Sequence, residues 1–153
     1  MTETQTHGDN HQAPHTRARI LVTYFDGAMD AGASGRMAVE QMLRALPATH
    51  VADFDAEDFI NYRSHRPVIT VKSWVTEEVE TPKISLDLLR DDRGESFLLL
   101  HGPEPDYRWQ TFASRVREII TEAGVEVVFG MTGIPSGVPQ TRPTPVHVHT
   151  TDP

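Results

Sequence analysis

The chain has 153 residues, which is enough for one folded domain with a buried core. Its formal net charge of -8 argues against a nucleic-acid surface, which needs a basic stripe, and against attraction to anionic membranes. The absence of cysteine excludes disulfides, zinc–thiolate sites and thiol nucleophiles.

The N-terminal segment, residues 1–17, is polar and is predicted to form a disordered tail. His7, His11 and His15 have a four-residue spacing that would align metal ligands on a helix, but a glycine and a proline interrupt that helix. A solvated tail is therefore favoured over a metal site. The tail has no hydrophobic signal segment, and no run approaches the ~20 apolar residues of a membrane span, so we expect a cytoplasmic protein.

The first half of the chain predicts a strand, a helix and further strands. Residues 20–25 form a continuous apolar run, which is typical of a strand buried on both faces in a parallel sheet. Asp30 is a candidate cap for the helix that follows, and Pro47 ends that helix. The apolar positions of this helix are Val39, Met42, Leu43 and Leu46. Residues 51–54 predict a short strand, and residues 67–79 predict one or two strands, with a hairpin as one option.

The second half predicts a strand, a helix and a further strand. Residues 97–100 form another buried-strand run, Asp106 is the candidate cap of the next helix, and Gly124 ends it. The apolar stripe of this helix is Phe112, Val116, Ile119, Ile120 and Ala123. Residues 125–131 predict the next strand, and the short connections imply a right-handed crossover between parallel strands. A proline-rich loop follows, with a final strand predicted at residues 146–148.

The order of these elements predicts an α/β protein. We expect a three-layer sandwich around a mostly parallel sheet, formed by a single domain over residues 18–153. No internal repeat is visible in the sequence.

The glycine-rich turn after the first strand occupies the position of a phosphate loop. Gly27, Gly32 and Ser34 fit that pattern, but Ala33 stands in place of the lysine that reaches the β- and γ-phosphates. Met29 stands where the dinucleotide pattern has its second glycine. Carboxylates in the turn would also repel an anion, so we interpret it as a tight turn with a charged helix cap.

Two further segments carry polar side chains that are suited to chemistry. His101, Glu104 and Asp106 lie in one short loop and could serve acid–base catalysis or hold a metal, or Asp106 could only cap the helix. No Gly-x-Ser-x-Gly elbow is present, which disfavours a hydrolase. His147 and His149 point to one face of the predicted last strand, and an amphipathic edge strand explains them without a metal.

Three loops, after residues 25, 100 and 131, each follow a predicted parallel strand. The ends of parallel strands meet at the same edge of the sheet, where α/β proteins usually bind their ligands. The last of these loops includes Arg142, which could bind a carboxylate or clamp its own loop. The topology therefore predicts a shared cleft. Its candidate residues are Asp30, His101, Glu104, Arg108, Gln140 and Arg142.

Four segments of the chain resemble one protein family. Phe25-Asp-Gly with Asp30-Ala-Gly resembles its Phe-x-Gly-Trp-x-Asp-Ala-Gly signature, and residues 55–67 resemble its Asp-Pro-Glu-Asp-Phe segment with the Arg-Pro that comes next. Residues 101–109 resemble its His-Gly-x-Glu-Pro-x-x-Arg-Trp motif, and residues 138–143 resemble its Val-Pro-His-Thr-Arg-Pro. The family is that of the second proteasome assembly chaperone (proteasome assembly chaperone 2-like), including its bacterial relatives.

The resemblance implies a fold akin to nucleoside phosphorylases, no demonstrated catalytic apparatus, and a protein that works as a dimer or higher oligomer. The better-understood members bind proteasome α-type subunits and guide ring assembly. The chain departs from the family pattern where Ala28 replaces a tryptophan and Gln140 replaces a histidine. We also expect it to lack the family's C-terminal portion. The resemblance adds four motif residues to the candidate cleft: Gly27, Gly32, Trp109 and Thr141.

The sequence therefore predicts a non-enzymatic binding protein of this family that helps to assemble a protein complex. We expect a protein partner of the proteasome α-subunit type, a homo-oligomer, and no metal, cofactor, nucleic acid or membrane. The alternative is a small-molecule-binding protein, or an enzyme of hydrolase or ligase type, that uses the cleft at the C-terminal ends of the strands. Only the fold kinship supports that alternative, and fold does not imply function.

Overall fold

A computed structural model describes residues 16–139 and 141–151 of the chain. The predictions for residues 1–15, including the three histidines of the tail, and for Gln140 lie outside the described residues. Within them the strands are β1 (Ile20–Asp26), β2 (Ala48–Phe54), β3 (Val68–Lys72), β4 (Val75–Glu80), β5 (Ile84–Arg90), β6 (Ser96–Pro103) and β7 (Val127–Met131). The helices are α1 (Ser34–Ala45), α2 (Ala56–Phe59) and α3 (Trp109–Ala123), and a 3-10 turn at Ala31–Ala33 precedes α1.

Five of the described strands form one mixed sheet in the order β2-β5-β6-β1-β7. β6 and β7 run parallel to β1, whereas β5 is antiparallel to both β2 and β6. The α/β class is confirmed, but a mixed sheet replaces the mostly parallel one that we predicted, because the sequence pattern did not reveal β5. Residues 91–95 join β5 to β6, and a parallel crossover takes roughly a dozen residues or more, so this connection gives an antiparallel pair.

β1 and β6 are covered on both faces, as their continuous apolar runs predict. Successive side chains of a strand point to opposite faces. Leu21 and Leu98 therefore pack on one face with Phe112 of α3, whereas Tyr24 and Leu99 pack on the other with α1. α1 and α3 thus lie on opposite faces of the sheet. Burying each large apolar side chain in these two clusters contributes about 1.5–3 kcal/mol to stability.

The start of α3 differs from the prediction. The helix begins at Trp109, and Arg108 before it adopts a left-handed backbone with φ of 53° and no side-chain cap among the described residues. Asp106, the predicted cap, instead accepts a hydrogen bond of 2.7 Å from the backbone amide of Asn61. The carboxylate thus fastens the segment after α2 to the loop before α3. Gly124 ends the helix, as predicted.

β3 and β4 form a separate antiparallel hairpin that Ser73 and Trp74 join. The hairpin option for residues 67–79 is therefore confirmed. Every residue of both strands is exposed, so the hairpin extends from the body of the protein instead of packing into its core. The hairpin and β7 carry many of the large apolar side chains that the described chain exposes.

The C-terminal described residues, 141–151, contain no strand. The strand predicted at residues 146–148 is therefore wrong. Val146 and Val148 are both exposed, so these apolar side chains do not pack on a sheet. In the described part of the chain, no helix is long and apolar enough to cross a membrane.

Candidate functional site

The loops after β1, β6 and β7 meet at one edge of the sheet. The amide of Glu104 donates a hydrogen bond of 3.0 Å to the carbonyl of Asp26, which joins the first loop to the second. The amide of Ala31 donates to the carbonyl of Gly133 at 2.9 Å, and the amide of Gly133 donates to the carbonyl of Met29 at 2.8 Å. Parallel pairing of β6 and β7 with β1 is the reason that the three loops emerge together.

Gly27 and Glu104 show how closely two of these loops approach. A Cβ atom placed on Gly27 would lie 2.3 Å from Oε2 and 3.0 Å from Cβ of Glu104. The side chain of Glu104 therefore packs directly over the backbone of Gly27, and a larger residue at that position would have to displace it. The contact brings together two residues that the sequence placed in the candidate cleft.

Asp30 organises the loop between β1 and α1. Its carboxylate accepts hydrogen bonds from the Tyr24 hydroxyl and the Gly35 amide, both at 2.8 Å, and from the Arg36 amide at 3.2 Å. The Ser34 hydroxyl donates a longer bond of 3.4 Å. The two amides belong to the first turn of α1, so the predicted capping role of Asp30 is confirmed. Gly32 lies in the 3-10 turn between this carboxylate and the helix.

The ionisation states of Asp30 and Tyr24 follow from their surroundings. Burial acts to raise the pKa of Asp30, but the hydrogen bonds from Gly35, Tyr24, Arg36 and Ser34 together hold that pKa below its ordinary value. Burial, and then the hydrogen bond to Asp30, raise the pKa of the Tyr24 hydroxyl. Asp30 is therefore an anion and Tyr24 a neutral donor at neutral pH, and this locks the loop against β1.

His101 lies inside β6 and not in a free loop. Its Nε2 is 2.7 Å from one carboxylate oxygen of Asp87 on β5, and Nδ1 of His50 on β2 is 3.1 Å from the other. Asp87 is only 9% exposed and is the buried charged residue of the described core. The sequence analysis missed Asp87 and His50 because it predicted no strand at β5. Alternation of apolar and polar residues from Ile84 onward was the signal that could have revealed it.

A cleft of about 390 Å³ lies beside His101 on the α1 face of the sheet. We call it the α1 cleft. Its walls are formed by the ends of β1 and β6, by α1, and by the base of the hairpin with the segments that flank it. Arg36 and Arg66 line it, and neither guanidinium has an ion pair among residues 16–139 and 141–151. Its other main lining side chains are three carboxylates, Asp26, Glu40 and Glu80, together with Tyr24, Val39, Leu43, His65 and His101.

The remaining candidate residues lie elsewhere. Arg108 forms an ion pair with Asp58, and Trp109 is half exposed with its ring centroid 6.3 Å from that of Phe112, on the face of the sheet opposite the α1 cleft. Thr141 and Arg142 are exposed, and the described contacts of Arg142 reach only Pro139 of its own loop. Among the described candidates, the structure thus packs Gly27 against Glu104, sets Asp30 and Gly32 in the adjoining turn, and places His101 at the neighbouring cleft, whereas Arg108, Trp109 and Arg142 make contacts elsewhere.

Known proteins with a similar sequence show which family the chain belongs to. Residues 24–153 match the PAC2 family along most of the chain. The chain belongs to the PAC2 family. The resemblance that the four sequence motifs carry is therefore confirmed. No curated protein matches the chain.

Solved structures of similar proteins share the fold of this PAC2 chain. A Mycobacterium tuberculosis protein of unknown function has 37% identity and a TM-score of 0.80, and the match covers 87% of this chain and 48% of that protein. A Corynebacterium glutamicum protein of unknown function has 30% identity and a TM-score of 0.82, covering 87% of this chain and 51% of its own. A Mycobacterium tuberculosis proteasome-assembly chaperone homologue has 29% identity and a TM-score of 0.76, and the match covers 82% of this chain and 54% of that protein. The chain spans about half the length of these structures.

A second concave surface of the PAC2 chain lies on the opposite face, between β1 and α3. This groove of about 330 Å³ is almost entirely apolar, and we call it the α3 groove. Arg117 stands at its rim. The apolar side chains that line it are Phe25, Trp109, Phe112, Ala113, Val116 and Ile120. Beside the groove, β7 pairs only with β1 among the described strands and leaves Val128 and Phe129 about half exposed.

Metal binding has no support in the described part of the PAC2 chain. Residues 16–139 and 141–151 contain no group of three histidine, aspartate or glutamate side chains that could hold a metal ion. His101 and Glu104, which were considered together as ligands, belong to different contacts, since His101 is bound to Asp87 and Glu104 packs on Gly27. His147 and His149 lie in the irregular C-terminal segment.

Proposed function

We propose that this PAC2-family chain is a binding protein, without catalytic activity of its own, that assists the assembly of a protein complex. The observation that carries this proposal is the amount of apolar surface that the described chain leaves uncovered. Much of this surface lies on two structural elements, the β3–β4 hairpin and β7. Proteins that act alone rarely expose large apolar patches, and such patches commonly mark surfaces that bind other proteins.

The hairpin carries a dense group of exposed apolar residues, while others are distributed over the described surface. Trp74 at the hairpin tip is 99% exposed, and the valines and isoleucine of β3 and β4 are more than half exposed. The apolar residues of the hairpin are Val68, Ile69, Val71, Val75 and Val79. β7 adds an edge of the main sheet whose backbone groups face outward, and an exposed sheet edge pairs readily with another chain.

Membership of the family supports a proposal for the class of partner. One structural relative is named a proteasome-assembly chaperone homologue, and it shares 29% identity with this chain. We therefore propose a proteasome α-type subunit as the partner, with the chain acting as a homo-oligomer in the cytoplasm. We further propose that residues 18–153 act as one domain with the three-layer architecture of nucleoside phosphorylases, and that Gly27, Asp30 and Glu104 shape the loop edge that contacts the partner.

An affinity capture experiment tests the proposal. The tagged chain is incubated with native cytosol, and the captured proteins are identified by mass spectrometry. A variant with residues 134–139 replaced by glycine and serine keeps the fold while it changes the loop after β7, and Arg93→Ser in the distant β5–β6 turn is the control. Enrichment of α-type subunits that is lost only in the loop variant supports the proposal. Capture of other proteins refutes the proteasome partner, and recovery of the chain alone refutes the binding function.

A second function is favoured by one observation, the α1 cleft. Two guanidinium groups without ion pairs, Arg36 and Arg66, line this cleft together with several carboxylates and an apolar wall of Val39 and Leu43. A concave site with a few polar groups beside apolar side chains suits a small polar ligand of nucleoside-like or amino-acid-like type. Hydrolase or ligase activity would need His101 as a proton carrier there.

Ligand-induced thermal stabilisation separates the two functions. A tight ligand raises the melting temperature because it binds only the folded chain. A panel of nucleotides and amino-acid derivatives is tested against the wild type, Arg36→Ala and Arg66→Ala. A rise in the wild type that both variants lose supports the small-molecule function, and no rise with any compound refutes it. Turnover that His101→Ala abolishes would identify an enzyme.

A further inference from the structure

The α1 cleft carries charged groups of both signs that no neighbouring side chain neutralises. Asp26 and Arg36 lie on the wall that the end of β1 and α1 form. Arg66 and Glu80 lie on the wall at the base of the hairpin. None of the four has an ion pair among residues 16–139 and 141–151. All four are exposed, so a ligand in the cleft can reach them.

The Tyr24 hydroxyl lies within the field of both charges on the first wall. Burial and then the hydrogen bond to Asp30 are the largest causes of its raised pKa. The charge of Asp26 raises that pKa further, whereas the charge of Arg36 lowers it. A carboxylate and a guanidinium therefore lie near the same side chain of this wall without forming an ion pair with each other.

Apolar side chains complete both walls. Val39 and Leu43 are one helical turn apart on α1 and line the cleft from one side. At the base of the hairpin, Val68 pairs with Glu80 across the two strands, and Arg66 precedes Val68 by two residues. Val68 is 60% exposed, so an apolar group that enters the cleft can remove it from water.

The size and the charges of the cleft select one class of ligand. Its volume of about 390 Å³ is near the lower end of the roughly 300–1,000 Å³ that is usual for ligand pockets, so the ligand is small. A nucleotide would bring several negative charges beside the carboxylates of Asp26, Glu40 and Glu80. A neutral nucleoside would match neither kind of charge. A small zwitterion with an apolar side chain matches the guanidinium groups, the carboxylates and the apolar walls together.

We infer that the α1 cleft binds a free amino acid with an apolar side chain. Arg36 and Arg66 bind its carboxylate, because guanidinium groups form strong charge-assisted hydrogen bonds with carboxylates. Asp26 and Glu80 bind its ammonium group. The apolar side chain packs against the walls that α1 and the hairpin base provide. This inference rests on the small-molecule function proposed for the cleft and names its ligand class.

Isothermal titration calorimetry with L-leucine and four related compounds tests this inference. Leucinamide keeps the ammonium group and lacks the carboxylate, N-acetyl-leucine has the reverse properties, and glycine lacks the side chain. Adenosine represents nucleoside-like ligands. We expect L-leucine to bind, and each of the three leucine-related compounds to bind about tenfold more weakly or worse, because each loses one of the three kinds of contact.

Two variants with matched controls identify the groups that the cleft uses. Arg66→Ala should weaken L-leucine and N-acetyl-leucine by about tenfold and leave leucinamide unchanged, since leucinamide has no carboxylate. Glu80→Gln should weaken L-leucine and leucinamide and leave N-acetyl-leucine unchanged. Arg63→Ala and Glu78→Gln change exposed residues that do not line the cleft, and they should leave all affinities unchanged. Circular dichroism checks that each variant is folded.

The outcomes separate this inference from the function on which it rests. Binding of adenosine without binding of L-leucine overturns the amino-acid ligand and leaves the small-molecule function standing. If no compound binds, both are overturned. Leucinamide and N-acetyl-leucine that bind as tightly as L-leucine show that the cleft does not recognise a zwitterion, and this overturns the inference. Unchanged binding of L-leucine in Arg66→Ala overturns it as well.

Discussion

Gly102 in β6 offers a sharp test of the geometry beside the α1 cleft. Its backbone has φ of 147°, a conformation in which a side chain is strained, and the structure places a new Cβ 2.3 Å from the carbonyl oxygen of Lys83. The same Cβ would lie 2.8 Å from Cα of Ile84. Both contacts involve backbone atoms at the start of β5, which cannot rotate away. Gly102→Ala must therefore push β5 from β6 at the edge of the cleft.

The expected destabilisation combines two effects. Backbone strain at such a position costs about 1–3 kcal/mol, and forced repacking against neighbouring atoms costs about as much again. Together these reach roughly 2–6 kcal/mol, a large share of the 5–15 kcal/mol that holds a typical domain folded. The end of β6 also lines the α1 cleft through Gly102 itself, so the same change should alter ligand binding there.

Equilibrium unfolding in urea measures this effect, and Gly94→Ala is the matched control. Gly94 has φ of 85° in the β5–β6 turn, but a Cβ placed there meets no atom within 4 Å. This substitution should therefore cost only the backbone strain, about 1–2 kcal/mol. If Gly102→Ala destabilises the chain no more than Gly94→Ala does, the close approach of β5 to Gly102 is not present in solution and the reasoning fails.

Three further substitutions test the core and the sheet edge. Phe112→Ala should lower the free energy of unfolding by about 3–5 kcal/mol, because its ring packs against three other phenylalanines, and Phe112→Leu should cost clearly less in urea unfolding. Asp87→Asn should lower the free energy of unfolding by about 1–3 kcal/mol in the same assay, because it weakens the hydrogen bonds to two histidines. Asp92→Asn, at an exposed position, should leave that free energy unchanged. Asp30→Asn should lower the melting temperature at pH 7. Because the folded pKa of Asp30 lies below its ordinary value of 3.8, its stabilisation is present above that pH and is lost as the pH falls through the lower folded value. The difference between wild type and Asp30→Asn should therefore shrink below about pH 4, and a difference that grows there would contradict the assigned hydrogen bonds.

Several elements follow directly from the order of residues. The apolar runs at β1 and β6 predict strands that are buried on both faces, and the helical spacing of apolar residues predicts α1 and α3. Asp30 is recognisable as a helix cap because a short carboxylate before an apolar periodicity is a common helix start signal. These predictions succeed because each depends on a local pattern that the surrounding fold does not override.

The errors come from contacts between distant segments. β5 alternates apolar and polar residues, yet its polar member Asp87 is buried, since His50 and His101 arrive from two neighbouring strands to bind it. Asp106 resembles a helix cap in sequence but is drawn to the amide of Asn61, 45 residues earlier. In both cases a long-range hydrogen bond decides the role of the side chain, and no local pattern records it.

The sequence by itself determined the α/β class, the family and the loops that follow β1, β6 and β7, because motifs and apolar periodicity are properties of neighbouring residues. The tertiary structure alone decided that β5 makes the sheet mixed, that Arg36 and Arg66 share a cleft, and that the hairpin extends away from the core. The physical reason is that strand direction, cleft formation and exposure depend on which distant segments pack together. Packing depends on many segments of the chain together, so a local sequence pattern predicts it only where that pattern is compatible with a single arrangement.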